Sequence, residues 1–109
     1  MRRFKMSTIK DVILSPNFWQ SRKGLVVSAI VIHKPEANWE SVKNTVMNPG
    51  SNVSYHFVIK KDGSIIQFVP TQYAAWHAGR VVRPTWQNIH EGVNPNLHTI
   101  GVALEGFAK

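Results

Sequence analysis

The run from Leu25 to His33, LVVSAIVIH, constrains the fold of this chain more than any other feature. It is apolar except for one serine before the histidine. That pattern is typical of a strand buried on both faces, and such strands lie in the middle of a sheet. A histidine where the strand ends is held by rigid backbone at the edge of the sheet, where open sheets bind ligands. The run therefore predicts a central strand with His33 in a candidate binding position.

A second histidine, His77, lies in the apolar segment AAWHAG over residues 74–79. Neutral imidazole is the commonest metal ligand in proteins, and zinc is its usual partner. Taken alone, either histidine is more simply a hydrogen-bonded residue of the core or the rim, but their similar apolar settings favour a shared metal site. Their ring nitrogens should then converge, and each ring should donate its other nitrogen to a carbonyl or a carboxylate.

The remaining periodicities predict a single α/β domain over residues 1–109, with a mixed central β-sheet, a β-hairpin and one covering helix. Asn38 is a candidate N-cap, and Asp62-Gly63 between two β-rich runs is a strong hairpin signal. The predicted elements are a short strand within 9–14, the strand 25–33, a helix over about 39–47, hairpin strands within 53–60 and 64–69, and a strand over 99–104. Residues 70–96 are irregular, and a long loop inside a compact domain is usually functional.

The chain has 13 Lys and Arg against 6 Asp and Glu, a formal net charge of +7. This charge favours a polyanionic partner, such as nucleic acid or an anionic cell wall. The basic residues are scattered and no basic-aromatic nucleic-acid motif accompanies them, so we expect no nucleic-acid partner. The absence of cysteine excludes disulfides and thiolate metal ligands.

No apolar run approaches the ~20 residues needed to cross a bilayer, so no membrane span is expected. The basic start at residues 1–6 is not followed by an apolar segment, so we expect no signal peptide in this chain. The predicted location is cytoplasmic, or cell-wall-directed if a signal was removed.

Four segments, in this order along the chain, carry a family resemblance. They are IVIH at 30–33, SYHFVI at 54–59 with Asp62-Gly63, AWHAG at 75–79 and TIGVALEG at 99–106. Together they resemble the N-acetylmuramoyl-L-alanine amidase type 2 family, which includes amidase-type phage lysozymes, bacterial wall and recycling amidases, and animal peptidoglycan recognition proteins. The resemblance covers roughly residues 8–106. Each segment alone is weak evidence, but four in order, each on its predicted element, are specific.

The resemblance implies a zinc-dependent hydrolase that cleaves peptidoglycan at the amide between N-acetylmuramic acid and L-alanine of the stem peptide. It assigns His33 and His77 as two ligands of a zinc ion (Zn2+) that binds and activates water. Tyr55 matches a tyrosine that some members use beside the metal to hold the water or the developing oxyanion. Packing on the core is its alternative role. His56 alternates to the opposite strand face and is expected to be structural.

The substrate is expected to bind in a shallow cleft walled by Trp76, Arg80 and the loop 80–96. Glu105 is a further substrate-binding candidate. Recycling-type members carry a catalytic glutamate just after the Ile-Gly-Ile or Ile-Gly-Val step, where this chain has Ala103, and Glu105 lies two positions further on the same strand face. The sequence is compatible both with a natural Ala103 and with an engineered change from Glu.

In the family, the third zinc ligand and a catalytic basic residue follow a helix beyond the strand that ends here near Glu105. We therefore expect the C-terminal helix and the metal-ligand segment to be missing, and this chain alone to be inactive. The uncovered face of the sheet would then allow self-association. His90 and His98 are substitute ligand candidates, although loop histidines are more simply solvent-exposed or loop-capping.

Two rival functions remain open. A peptidoglycan-binding recognition module that has lost hydrolysis would explain Ala103 and the missing ligand, whereas retention of His33, His77 and Tyr55 favours the enzyme. A basic nucleic-acid-binding protein would explain the charge and none of the four segments.

Overall fold

A computed structural model describes residues 8–78 and 93–106 of the chain. These residues form a five-stranded mixed sheet, a separate two-stranded sheet and one α-helix with short 3-10 turns. The elements are β1 (Ile9–Val12), β2 (Phe18–Trp19), β3 (Ala29–His33), α1 (Trp39–Met47), β4 (Phe57–Ile59), β5 (Ile65–Gln67), β6 (Ala74–Ala75) and β7 (Thr99–Leu104), with 3-10 turns at Pro49–Ser51 and Pro95–Leu97.

The strand order in the main sheet is β1-β5-β4-β7-β3. The hairpin strands β4 and β5 are antiparallel, while β7 is parallel to both of its neighbours, β4 and β3. Gly63 turns the hairpin with a φ of 86°, a left-handed conformation that glycine adopts without steric cost. Strands β2 and β6 pair antiparallel in the second sheet. The mixed sheet with a hairpin and one helix confirms the predicted fold class.

The observed helix α1 has the bounds that the sequence predicted, because its N-cap and its apolar spacing are local features of the sequence. Asn38 accepts a hydrogen bond from the backbone N–H of Ser41 at 2.9 Å, as an N-cap side chain does. Val42 and Val46 lie one turn apart on the helix, and both are buried. They belong to one hydrophobic cluster with Val58, Phe68 and Ala103, which fixes the helix on one face of the sheet.

The expectation that residues 25–33 form a central strand buried on both faces is wrong. Strand β3 begins only at Ala29, and it is an edge strand of the sheet with β7 as its neighbour. Val26 is 81% exposed, Ile30 is 61% exposed and Ile32 is 55% exposed. The alternation along β3 points Ala29 inward and leaves the opposite face open. The central position belongs to β4, and β7 lies between β4 and β3.

The face of the sheet opposite α1 is apolar. A shallow depression on the sheet is lined by five apolar side chains: Ile9, Phe57, Ile59, Ile65 and Val102. Within residues 8–78 and 93–106, α1 is the one α-helix, and it packs on the other face. None of the helices in this described part is long and apolar enough to cross a membrane.

Candidate active site

His33 and His77 meet at one end of the main sheet. His33 ends β3, and His77 follows the short strand β6. Nε2 of His33 lies 2.9 Å from Nδ1 of His77, and the ring centroids are 5.1 Å apart. The structure therefore confirms that the two imidazoles predicted to converge do so, although they are 44 residues apart in sequence.

Contacts with one loop and one strand hold His77 in place. Its Nε2 lies 2.9 Å from Oγ1 of Thr99, and the backbone N–H groups of His77 and Ala78 both donate to Oδ1 of Asn96, at 3.1 and 2.8 Å. The Thr99 hydroxyl donates in turn to the carbonyl oxygen of Pro95 at 2.7 Å. The Thr99 backbone also forms a hydrogen bond with the His77 ring, which agrees with the expected carbonyl partner.

Burial lowers the pKa of both histidines. It lowers the pKa of His33, and it lowers that of His77 to about 3, with the nearby His33 as the next cause. Desolvation disfavours the charged imidazolium, and a second imidazolium nearby adds repulsion. Both rings are therefore neutral at physiological pH, which is the form that binds metal ions.

Tyr55 lies beside His33, with ring centroids 5.3 Å apart. It is 9% exposed and belongs to the core cluster, so the packing role expected as an alternative is observed. Burial raises the pKa of the Tyr55 phenol, so the hydroxyl keeps its proton and remains a hydrogen-bond donor. Core packing and a role beside His33 are therefore compatible.

A cleft of about 340 Å³ opens beside these residues. Tyr55, Trp76 and His77 line it, together with Asn52, Val53, Ala78 and Asn96. Trp76 also makes an edge contact with Trp19, at a centroid distance of 6.0 Å, which supports one wall. The position of Trp76 agrees with the predicted cleft, whereas Arg80, His90 and most of the loop 80–96 lie outside the described residues.

The carboxylate of Glu105 is engaged by the backbone. Its Oε2 accepts from the N–H of Trp39 at 2.8 Å, and its Oε1 accepts from the N–H of Lys61 at 2.9 Å. These contacts give Glu105 a structural role at the start of α1 and at the hairpin turn, so its role toward substrate stays a prediction. Ala103 is fully buried and is the register partner of His33 across β3 and β7.

The other histidines of the described region have structural contacts. His56 is fully buried, and its Nδ1 accepts from the N–H of Gly101 at 3.1 Å. Its Nε2 therefore carries the proton and donates to the Tyr73 carbonyl at 2.8 Å, which agrees with the structural role expected for His56. His98 is fully buried, with Nδ1 2.8 Å from Oγ of Ser28. It is the C-cap of the 3-10 turn at Pro95–Leu97, so of the two expected roles loop capping is observed and solvent exposure is not.

Sequence reasoning missed Arg22, Asn96 and Thr99. Arg22 is 8% exposed and donates to the carbonyl oxygens of Thr71, Asn96 and Thr99 at 2.9–3.2 Å. It thereby ties together the segments that position His77. No local pattern marks these residues, because their contacts join parts of the chain distant in sequence.

The described residues fit a zinc ligand set in part. Two nitrogens on one tetrahedral zinc lie about 3.3 Å apart, given Zn–N distances of about 2.0–2.1 Å, and the two imidazoles come within a few tenths of an ångström of that spacing. Among residues 8–78 and 93–106, however, no group of three or more His, Cys, Asp or Glu side chains could hold a metal ion. Imidazole donors are present, but a three-ligand site is not formed by this part of the chain.

Two curated proteins are similar to this chain in sequence. N-acetylmuramoyl-L-alanine amidase A of Achromobacter lyticus is 33% identical over 82 residues, which are 74% of this chain and 38% of that protein. The 1,6-anhydro-N-acetylmuramyl-L-alanine amidase AmpD of Salmonella typhimurium is 41% identical over 54 residues, 50% of this chain and 26% of that protein. The chain thus spans well under half the length of these curated relatives.

Two solved structures resemble this chain in fold. The crystal structure of a selenomethionine derivative of AmpD superposes with a TM-score of 0.67 at 26% identity, over 88% of this chain and 60% of that one. A mutant endolysin from Bacillus subtilis has a TM-score of 0.56 at 21% identity, over 91% of this chain and 61% of that one, and shows likeness of fold alone. The sequence pattern of the N-acetylmuramoyl-L-alanine amidase family matches residues 23–109. The chain therefore belongs to the N-acetylmuramoyl-L-alanine amidase family.

Proposed function

We propose that this chain forms part of a zinc-dependent peptidoglycan amidase, which hydrolyses the amide between N-acetylmuramic acid and L-alanine of the stem peptide. The observation that carries the proposal is the grouping of His33, Tyr55 and His77 at one end of the sheet beside a cleft. Membership of the amidase family supports the reaction type, and the names of the relatives support the linkage.

We propose His33 as a zinc ligand, and its place at the end of β3 beside the cleft supports this role. The family resemblance implies the same role for His77. The remaining ligands would come from outside residues 8–78 and 93–106, because those residues form no three-donor group. A bound zinc supplies an activated water and polarises the scissile carbonyl.

Tyr55 is proposed to stabilise negative charge on the reacting carbonyl oxygen. Its phenol is protonated and lies at the cleft beside His33, so it can donate a hydrogen bond to the oxyanion that develops there. Trp76 and the Asn96 and Asn52 side chains line the same cleft and give it the mixed aromatic and polar surface that suits a glycopeptide. The net charge of +7 favours encounter with anionic cell-wall polymers.

The alternative function is a recognition module that binds peptidoglycan without cleaving it. Ala103 favours this alternative. It is buried beside His33 in the sheet, where recycling-type amidases carry a catalytic glutamate, and an alanine cannot take over that role. The two functions share the cleft and differ in whether zinc and a hydrolytic apparatus are completed.

The test is an assay of the protein that contains these residues, with a muropeptide carrying the N-acetylmuramoyl-L-alanine linkage. We expect a new L-alanine amino terminus to appear, to be lost with a chelator and to return with zinc. A His33→Ala variant should lose both bound zinc and hydrolysis. A zinc-loaded protein that binds the muropeptide but leaves the amide intact would overturn the enzyme and establish the recognition module.

A further inference from the structure

A chain of hydrogen bonds leads from the loop before β7 to His33. It starts at the carbonyl oxygen of Pro95, passes through the Thr99 hydroxyl and the His77 ring, and ends at Nε2 of His33, over distances of 2.7, 2.9 and 2.9 Å. The first link is local, but the two links through His77 join residues 22 and 44 apart in sequence, so the fold builds the path from β7 to β3.

The direction of every link follows from its first member. A carbonyl oxygen only accepts, so the Thr99 hydroxyl spends its one proton on Pro95. The Thr99 oxygen must therefore accept from His77, which places the His77 proton on Nε2 and leaves Nδ1 as an acceptor. His33 then donates through Nε2–H, and its own Nδ1 carries the lone pair.

We propose that His77 is a positioning residue that fixes the tautomer and orientation of His33, so that Nδ1 of His33 is the nitrogen left to bind a metal ion. Its acceptor atom replaces the carbonyl or carboxylate that usually receives the second N–H of a metal-binding histidine. The metal-binding part of this proposal rests on the proposed function, while the tautomer part does not.

This assignment differs from the one implied by the family resemblance, in which both histidines are ligands. A metal between Nε2 of His33 and Nδ1 of His77 would have to displace the proton of a 2.9 Å hydrogen bond and spread the two rings. His77 has little room to move, because its ring lies against the backbone of Gly101 and its Nε2 is held by Thr99. A metal on Nδ1 of His33 leaves every link of the path intact.

The first test is nuclear magnetic resonance of the metal-free chain with isotope-labelled histidine, which distinguishes the two neutral tautomers. We expect the proton of His33 on Nε2 and that of His77 on Nε2. Two variants of matched shape separate the roles: His77→Asn retains an acceptor near the position of Nδ1, and His77→Leu does not. His33 should keep its tautomer in His77→Asn and become a mixture in His77→Leu.

A wild-type His33 with its proton on Nδ1 would overturn the proposal, and so would equal behaviour of the Asn and Leu variants. If His77→Leu does not fold, the wild type and His77→Asn still decide the question. Neither measurement needs metal or activity, so failure of the proposed amidase function would be seen separately, as an absence of zinc binding or hydrolysis.

The second test uses cadmium bound to the labelled protein in place of zinc. We expect the metal to couple to Nδ1 of His33 and to neither nitrogen of His77. The affinity for cadmium should fall about 10- to 100-fold in His77→Leu and less in His77→Asn, as for other residues that orient a ligand. Coupling to Nδ1 of His77 would make it a ligand and overturn the positioning role.

Discussion

Gly101 lies against the ring of His77, so closely that no side chain fits between them. A Cβ atom on Gly101 would stand 2.3 Å from Cγ of His77 and 2.7 Å from its Nδ1. Gly101 is also the register partner of Val31 in the sheet, so its backbone cannot retreat without breaking β7 from β3. The glycine of the TIGV segment therefore sets the position of a histidine 24 residues earlier in the chain.

Gly101→Ala should displace His77 and break its hydrogen bond with His33. We expect a loss of about 1–3 kcal/mol in the free energy of unfolding, the usual cost of overpacking a closed site. Denaturant titration measures the stability, and the histidine resonances report the lost contact. Gly50→Ala is the control, because the nearest atom to its new Cβ would be 3.4 Å away, and it should change stability by less than about 0.5 kcal/mol. An unchanged His33–His77 contact in Gly101→Ala would contradict the role given to Gly101.

Tyr55→Phe should lower turnover of a muropeptide by about 10²-fold or more, while zinc content stays the same. The change removes only the hydroxyl, so packing on the core and beside His33 is kept. Tyr73→Phe is a matched control. Tyr73 stacks on Phe18 with ring centroids 5.4 Å apart, and it does not line the cleft. Unaltered turnover in Tyr55→Phe would reduce Tyr55 to a packing residue.

Local signals predicted α1 and the hairpin correctly. The N-cap at Asn38, the spacing of Val42 and Val46, and the Asp62-Gly63 turn each act over a few residues, and the structure has the elements where the sequence indicated. The edge position of β3 could not be predicted in this way, because hydrophobicity alone does not state which strands are neighbours. An apolar edge strand and an apolar central strand have the same composition.

The candidate site was likewise predictable only in part from the sequence. The approach of His33 and His77 was predicted from their apolar settings and the family resemblance, but the donor and acceptor roles of their ring nitrogens depend on Thr99 and Pro95. Thr99 is 22 residues from His77, and the pattern that predicted its strand does not state what its hydroxyl contacts. Only the folded chain reveals that one histidine accepts from the other.

Glu105→Gln should destabilise the chain, because an amide can accept one backbone N–H through its oxygen but opposes the other with its NH2 group. The hydrogen bond from the Lys61 N–H is the main cause that lowers the pKa of Glu105, and the bond from Trp39 adds to it. Such a carboxylate stabilises the fold above its ordinary pKa of 4.5, and the contribution is lost as pH falls through the lowered value. The melting temperatures of wild type and variant should thus differ at neutral pH and converge in acid.

The exposed carboxylate of Glu36 provides the control for that experiment, since Glu36→Gln should leave the melting temperature nearly unchanged at both pH values. A gap between wild type and Glu105→Gln that persists unchanged in acid would show that the charge of Glu105 is not what supports the two amides.

Arg22→Met should lower the free energy of unfolding by more than about 2 kcal/mol, because the carbonyl oxygens of Thr71, Asn96 and Thr99 lose a charged donor inside the protein. Arg22→Lys should recover only part of this loss, since an ammonium group cannot reach all three carbonyls with the geometry of a guanidinium. Denaturant titration checks both values. Lys34→Met, at an exposed position, is the control, and an equally small effect at both sites would refute the bracing role of Arg22.

The apolar face of the sheet should make this 109-residue chain associate with itself. Ile30 and Ile32 are exposed on the edge strand β3, and such edges pair readily with other chains. We expect the sedimentation coefficient to rise with concentration and the double variant Ile30→Lys/Ile32→Lys to remain monomeric, because two charges oppose both burial and strand pairing. The matched control is Lys10→Ala/Lys61→Ala, which alters exposed charge away from β3 and should associate like the wild type. A wild-type chain that stays monomeric at high concentration would show that this face does not drive association.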